Sequence, residues 1–153
     1  MGNPAAEAYW VQFARAMKLD GVRYTVASFG DSAALADKLL ALVLSGRKRA
    51  TASLARDYRR ADSPPFPSIG EFIVWLDGTG RPRCITRTTE VVVKPLSQVD
   101  DAFAWEEGEG DRSRSWWLTA HRNYFARQAE REGFPMHDDI ETVFERFEVV
   151  WMT

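Results

Sequence analysis

Apolar residues recur at two spacings along the 153-residue chain. Trp10, Phe13, Ala14 and Met17 fall at helical spacing and predict a first helix over residues 4–19, with Asn3 as its cap and Asp20-Gly21 as its stop. Leu35, Leu39, Leu42 and Val43 predict a second helix over residues 33–44. Asp31 or Ser32 can cap it, and Gly46 stands where a C-terminal glycine stop belongs. A third helix begins after Asp111 or Ser113 and runs to about residue 131, before Gly133-Phe134-Pro135. Runs with strand character cover residues 24–29, 50–54, 71–76, 83–93 and 142–151. Asp77-Gly78-Thr79-Gly80 joins the third and fourth of these as a hairpin. Residues 57–68 are polar and then proline-rich, and read as a loop. Residues 97–111 read as irregular, with a short helical turn near 99–104. A strand-rich middle flanked by helices predicts a mixed α+β fold with a curved or closed sheet. Strands and helices do not alternate regularly, which argues against a doubly wound sheet.

Composition adds limits to this picture. The chain is 45% hydrophobic and 27% charged, with no biased tract, so one domain with a sizeable core is expected over residues 1–153. No apolar run approaches the ~20 residues that a membrane helix needs, and residues 1–7 carry no signal-type pattern. Cys84 is the only cysteine and lies in a strand-like run, so it reads as a small buried hydrophobe in a reducing compartment. A cytoplasmic location is the expectation.

The formal net charge is −2, but its distribution is uneven. Between Arg47 and Arg60 six cations meet one acid, Asp57. Between Asp100 and Asp111 there are six acids and no cation. The densest polar stretch is Ser45-Gly46-Arg47-Lys48-Arg49-Ala50-Thr51-Ala52-Ser53, where the second helix gives way to a strand. The best candidate to face it is Glu106-Glu107-Gly108-Glu109-Gly110-Asp111-Arg112-Ser113. A Walker A loop, a Gly-x-Ser-x-Gly elbow and a Cys/His zinc spacing are all missing. His137-Asp138-Asp139 reads as an exposed turn in preference to a metal site. Lys48 and Thr51 could reach one pocket, where a desolvated Lys with a lowered pKa could act as a base or stabilise developing charge. A nearby hydroxyl could serve as nucleophile, and an opposing carboxylate could complete a proton-transfer pair. Trp117, His121, Tyr124 and Gln128 recur at helical spacing, so most of that stripe reads as core, with His121 hydrogen-bonded inside the fold.

Gly46, Lys48 and Thr51 form a Gly-x-Lys-x-x-Thr motif at the helix-to-strand corner. Ser28-Phe29-Gly30-Asp31-Ser32 precedes it. Gly70-Glu71, the Asp77–Cys84 hairpin, Arg87-Thr88-Thr89-Glu90-Val91, Gly108–Ser113 with Trp116, Trp117 and His121, and Glu145–Val150 follow it in order. This ordered set resembles the ASCH domain family over residues 24–150, with residues 1–21 as an N-terminal helical extension. The resemblance implies a PUA-like twisted β-barrel with flanking helices. It also implies RNA or nucleotide-related ligands in a cleft lined by the motif. Two activities follow from it: cleavage of single-stranded RNA, and removal of the acyl group from N4-acylated cytidine. For the second, it implies that Lys48 and Thr51 act with a downstream Glu. Glu109 is the best match in its Gly-Glu-Gly-Asp context, and Glu107 is the second choice.

Three readings stay open. An RNA-cleaving enzyme ranks first, because the basic run suits an extended polyanion. It would use Lys48, Thr51 and Glu109 for chemistry, and Gly46, Arg47, Arg49, Ser53, Arg56 and Arg112 for binding. Trp116 or Tyr124 would stack on bases. The alternatives are a nucleoside amidohydrolase with Thr51 as nucleophile, and an RNA-binding module without catalysis. The expected partner is single-stranded RNA or a modified nucleoside. No cofactor is specified, and the need for a divalent metal ion stays open, as does the oligomeric state.

Overall fold

The computed structural model describes residues 2–153. Among the described residues there are four helices and five strands: α1 (Pro4–Ala16), β1 (Tyr24–Ser28), α2 (Ala33–Leu44), β2 (Ala50–Leu54), β3 (Phe72–Leu76), β4 (Pro82–Pro95), α3 (Asp101–Glu107), α4 (Arg114–Glu132) and β5 (Glu141–Met152). Short 3-10 turns follow β2 and β4. Each helix starts at a side-chain cap, with Asn3, Ser32, Asp100 and Ser113 accepting from the backbone N–H three residues on. The first helix is shorter than expected. It stops at Ala16, the chain turns through Lys18 at φ +55°, and Met17 is left half exposed.

The strands form one sheet in the order β1-β3-β4-β5-β2. Only β1 and β3 run parallel; the other pairs are antiparallel. A parallel pair needs a long crossover, and α2 with β2 supplies it, carrying β2 to the far edge of the sheet. β4 and β5 are the long central strands. Their register shifts twice, between Ile85 and Thr86 and between Thr88 and Glu90. Such bulges bend and twist a ladder, and here they curl the sheet into a half-barrel. The fold is α+β and PUA-like, as expected.

Helices cover both faces. α2 lays Leu39, Leu40 and Val43 on Trp75, Cys84 and Phe147, with Phe29 stacked on Trp75. α1 covers Val74 and Ile85 with Ala6, Trp10 and Phe13. α3 and α4 pack Phe103, Trp117 and Phe125 around Leu54, Leu96 and Phe144. One cavity, of about 300 Å³, is lined from both α2 and α4, with β2 contributing Thr51 and Ala52. Among the described residues, no helix is long and apolar enough to cross a membrane.

Candidate active site

The Gly-x-Lys-x-x-Thr corner is shaped by backbone hydrogen bonds. After α2, Ser45 and then Gly46 at φ +87° reverse the chain, a conformation that glycine adopts without strain. The N–H groups of Arg47 and Lys48 both donate to Leu42 O at 3.0 Å. That turn directs Lys48 inward, where it is 1% exposed.

The acidic stretch comes up against this corner, as expected. Arg47 donates from Nε to Gly108 O at 2.6 Å and from its Nη2 to Gly110 O at 3.0 Å. The Arg49 N–H donates to Glu106 O at 2.6 Å. Two glycines make the approach possible. Gly108, in the left-handed region, ends α3 against the Arg47 carbonyl, and a Cβ there would collide with it. Gly110 is also left-handed, and a Cβ on it would strike the Trp116 indole. Glu109 is held between these two contacts.

At the centre, Lys48 Nζ donates to Glu107 Oε2 at 2.5 Å, to Ala50 O at 2.7 Å and to Glu109 Oε2 at 3.0 Å. All three of its N–H groups are therefore used. Burial pulls the Lys48 pKa down, but the two carboxylates outweigh it and the net shift is upward. The expected lowered pKa is thus reversed: Lys48 is a fixed ammonium, not a base. Burial pushes Glu107 up, while Lys48 and His121 pull it well below the usual carboxylate range. Glu109 goes the other way. Burial and the Glu107 charge, working against Lys48, push it up to about 7.

His121 completes the cluster. Its Nδ1 donates to Trp117 O at 2.9 Å, which leaves Nε2 facing Glu107 Oε1 at 3.6 Å. Its ring stacks on Trp117. The internal hydrogen bond expected of His121 is present, and the other ring nitrogen also reaches the site. Glu107 is buried because Phe103, Ala104 and Glu107 share the inner face of α3. That i, i+4 relation was a readable sign that Glu107 points inward.

The cavity over this cluster is also lined by Phe29, Trp116 and Tyr124, with Lys38 and Arg127 contributed by α2 and α4. Lys48, Thr51, Glu107 and Glu109 all border it, so the three proposed catalytic side chains share one small space. The residues expected to bind RNA are dispersed. Arg47 and Arg112 brace the loop, Arg112 lying on the Trp105 ring and donating to Trp105 O at 2.8 Å. The Arg49 guanidinium packs beside Gly46. Ser53 Oγ bonds the Tyr58 hydroxyl at 2.7 Å. Arg56 pairs with Glu132 at 2.6 Å and stacks on Phe134. Arg60 also reaches Glu132, and Arg59 pairs with Glu141. Asp138 pairs with Arg122 at the surface.

Glu107, Glu109 and His121 each offer a donor atom within 4.8 Å of the others, a spacing that a metal ion could use. The Lys48 ammonium already occupies one oxygen of each carboxylate and puts a positive charge where a cation would sit. The donor set fits a buried lysine better than a divalent ion.

Comparison with known proteins agrees with this architecture. The ASCH domain pattern matches residues 25–151, and the chain belongs to the ASCH domain family. The crystal structure of an ASCH domain from Lactobacillus crispatus superposes with a TM-score of 0.87 at 30% identity, covering 97% of this chain and 95% of that one. A protein from Enterococcus faecalis superposes with a TM-score of 0.87 at 32% identity, covering 95% of this chain and 88% of that one. ASCH from Zymomonas mobilis, at 12% identity and a TM-score of 0.51 over 84% of this chain and 71% of its own, shares the fold. No curated protein matches the chain.

Proposed function

We propose that this protein is an amidohydrolase that removes the acyl group from an N4-acylated cytidine or a similar nucleoside. The observation that carries the reading is the position of the Lys48–Glu107–Glu109 cluster: it borders a concave pocket of about 300 Å³, partly open to solvent. That is the low end of the range for small-molecule pockets and suits a nucleoside. The cations that would track a strand are engaged with Glu132, Glu141 and loop carbonyls.

The residues divide the work. Trp116, Tyr124 and Phe29 offer aromatic surface for a base. Thr51 attacks the acyl carbon, and the C–N bond breaks as Glu109 gives its proton to the leaving amine. A carboxyl titrating near 7 is available in either form at neutral pH. Lys48, 3.0 Å away, stabilises the carboxylate that Glu109 leaves behind, and Glu107 keeps Lys48 charged. Glu109 then draws a proton from water as the acyl group is released from Thr51.

RNA cleavage is the second reading. It is favoured by Lys38 and Arg127, which share the cavity's border with Trp116 and Tyr124 and could take a phosphate beside a stacked base. Purified protein incubated with N4-acetylcytidine and, separately, with labelled single-stranded RNA separates the readings. Release of cytidine, lost in Lys48→Ala and Glu109→Gln, is the expected result. RNA fragments with the same mutant sensitivity would replace this reading with the second. RNA binding without turnover of either substrate would leave a binding module.

A further inference from the structure

A nucleophilic Thr51 needs something to take its proton, and the cluster described above does not provide it. Lys48 is a saturated ammonium. Glu109 begins protonated when it serves as the acid. The strand register supplies another carboxylate. β2 pairs with β5 so that Thr51 lies directly opposite Glu145. Directly opposed residues of an antiparallel pair project from the same face, with Cβ atoms about 5 Å apart. No register shift interrupts the β2–β5 pairing. Thr51 borders the cavity, whereas Glu145 does not line it and stands behind Thr51 on β5.

Glu145 is an anomaly as a purely structural residue. It is 6% exposed, yet it has no ion pair and no side-chain hydrogen bond among the described residues. Thr51 borders the cavity, and its hydroxyl has no hydrogen bond among the described residues. Burial without a cation beside it disfavours the ionised form, although Glu145 is not among the fully buried side-chain atoms left without a partner, so its oxygens keep a narrow route to solvent. The groups that face Glu145 do not relieve it. Glu71 adds negative charge, and the Tyr58 hydroxyl is engaged with Ser53. Burial first, and Glu71 second, push Glu145 up to about 7, so it can gain and lose a proton near neutrality.

We propose that Glu145 is the positioning residue and proton acceptor for the Thr51 hydroxyl. This rests on the amidohydrolase reading. In acylation, the Thr51 Oγ1–C bond forms and the hydroxyl proton passes to the Glu145 carboxylate. The C–N bond breaks, and the amine leaves with the proton of Glu109. In deacylation, water attacks the acyl carbon and gives its proton to Glu109. The Oγ1–C bond breaks, and Glu145 returns its proton to Thr51. The sum is amide plus water giving acid plus amine, with both carboxyl groups restored.

The test is a cycle of Glu145→Gln, Thr51→Ala and the double variant, with kcat/KM for N4-acetylcytidine measured across pH 5–9. Glu145→Gln is expected to lower kcat/KM by about 100-fold and to remove the acidic limb of the profile while keeping the alkaline limb that Glu109 sets. In the Thr51→Ala background the same change is expected to cost less than about 3-fold, because the two groups act as a unit. A residue with only a structural role would give additive losses and an unchanged profile, which would overturn the proposal. Activity in wild type with full activity in Glu145→Gln would overturn it and leave the amidohydrolase intact, whereas no cytidine from wild type would remove both. An independent reading comes from titrating the Glu145 side chain by carbon-13 NMR in wild type and Thr51→Ala. A shifted midpoint is expected, and an unmoved one would show that the two groups do not interact.

Discussion

Two sets of ion pairs in this molecule use the same chemistry for opposite ends. In one, Lys48 meets Glu107 and Glu109 with all three side chains nearly out of water. In the other, Arg56, Arg59 and Arg60 meet Glu132 and Glu141 with side chains 28% to 58% exposed. Water screens the second set, and its main effect is to neutralise a basic run that in sequence resembles a track for a polyanion. In the first set burial lifts both carboxyl groups, Lys48 outweighs it at Glu107, and the Glu107 charge adds to it at Glu109, so the two end on opposite sides of their common starting point. Two carboxyl groups pushed apart in this way are what acid–base chemistry needs. Local charge density alone does not reveal function; what matters is whether each charge is screened or sealed.

The largest effect should come from removing the lysine. Lys48→Ala leaves two carboxylates buried without their cation, which costs about 3–5 kcal/mol in comparable sites. Urea unfolding at pH 7 should register a loss of that order, together with loss of turnover. At pH 5 the deficit should shrink, because the abandoned carboxyl groups can take up protons. Lys48→Met combined with Glu107→Gln should be more stable than Lys48→Met alone. If it is not, the cluster is not held together by its charges.

The two glutamates should separate next. Glu109→Gln is expected to reduce turnover by about 10²–10⁴-fold with the melting temperature at pH 8 unchanged or higher, since it removes a carboxylate that burial disfavours. Glu107→Gln should lower both turnover and stability, because Lys48 loses its 2.5 Å partner. Equal responses from the two variants would erase the distinction drawn between them.

Stability should also depend on pH. Glu109 and Glu145 both titrate near 7 in the folded chain, against an ordinary value of 4.5. Each therefore favours folding most below about 4.5, and that contribution is lost as pH rises through about 7. Each accounts for at most about 3 kcal/mol. Glu107, with its lowered pKa, works in the other direction and only in acid. Unfolding free energies measured from pH 4 to 8 should peak near pH 5 and decline toward 8. Glu145→Gln should flatten the decline. A flat wild-type curve would mean that neither carboxyl is sealed from water.

Much of this was legible in the chain. The helical stripe of Leu35, Leu39, Leu42 and Val43, the Asp77–Gly80 turn and the glycine stop at Gly46 each encode their structure locally. The opposition of the motif to the Glu106–Ser113 stretch could be read from charge alone. Three things could not be read that way. The ionisation of Lys48 depends on two glutamates 59 and 61 residues away. The neutralisation of Arg56 and Arg60 depends on Glu132, on a helix that is remote in sequence. The partner of Thr51 is set by strand register, which brings Glu145 opposite it across a separation that no local pattern encodes.

The smallest expected effect bears most directly on the comparison between the two sets of ion pairs. Arg59→Ala and Arg60→Ala should each change stability by less than about 1 kcal/mol, as exposed pairs do. If the cavity takes a nucleoside, neither should change kcat/KM for N4-acetylcytidine, and raising salt from 50 to 500 mM should barely affect the wild-type rate. The same variants tested against a single-stranded RNA sharpen the point. Freed Glu132 and Glu141 carboxylates would leave the surface more negative, so any strand held there would be lost in proportion to the cations removed, with a matching drop in salt slope. A steep slope that falls by about one for each arginine removed would mean that these side chains release their acids to meet RNA. The exposed ion pairs would then be the resting state of a second binding surface. Absence of any slope would leave the sealed cluster as the functional centre and the exposed pairs as charge balance.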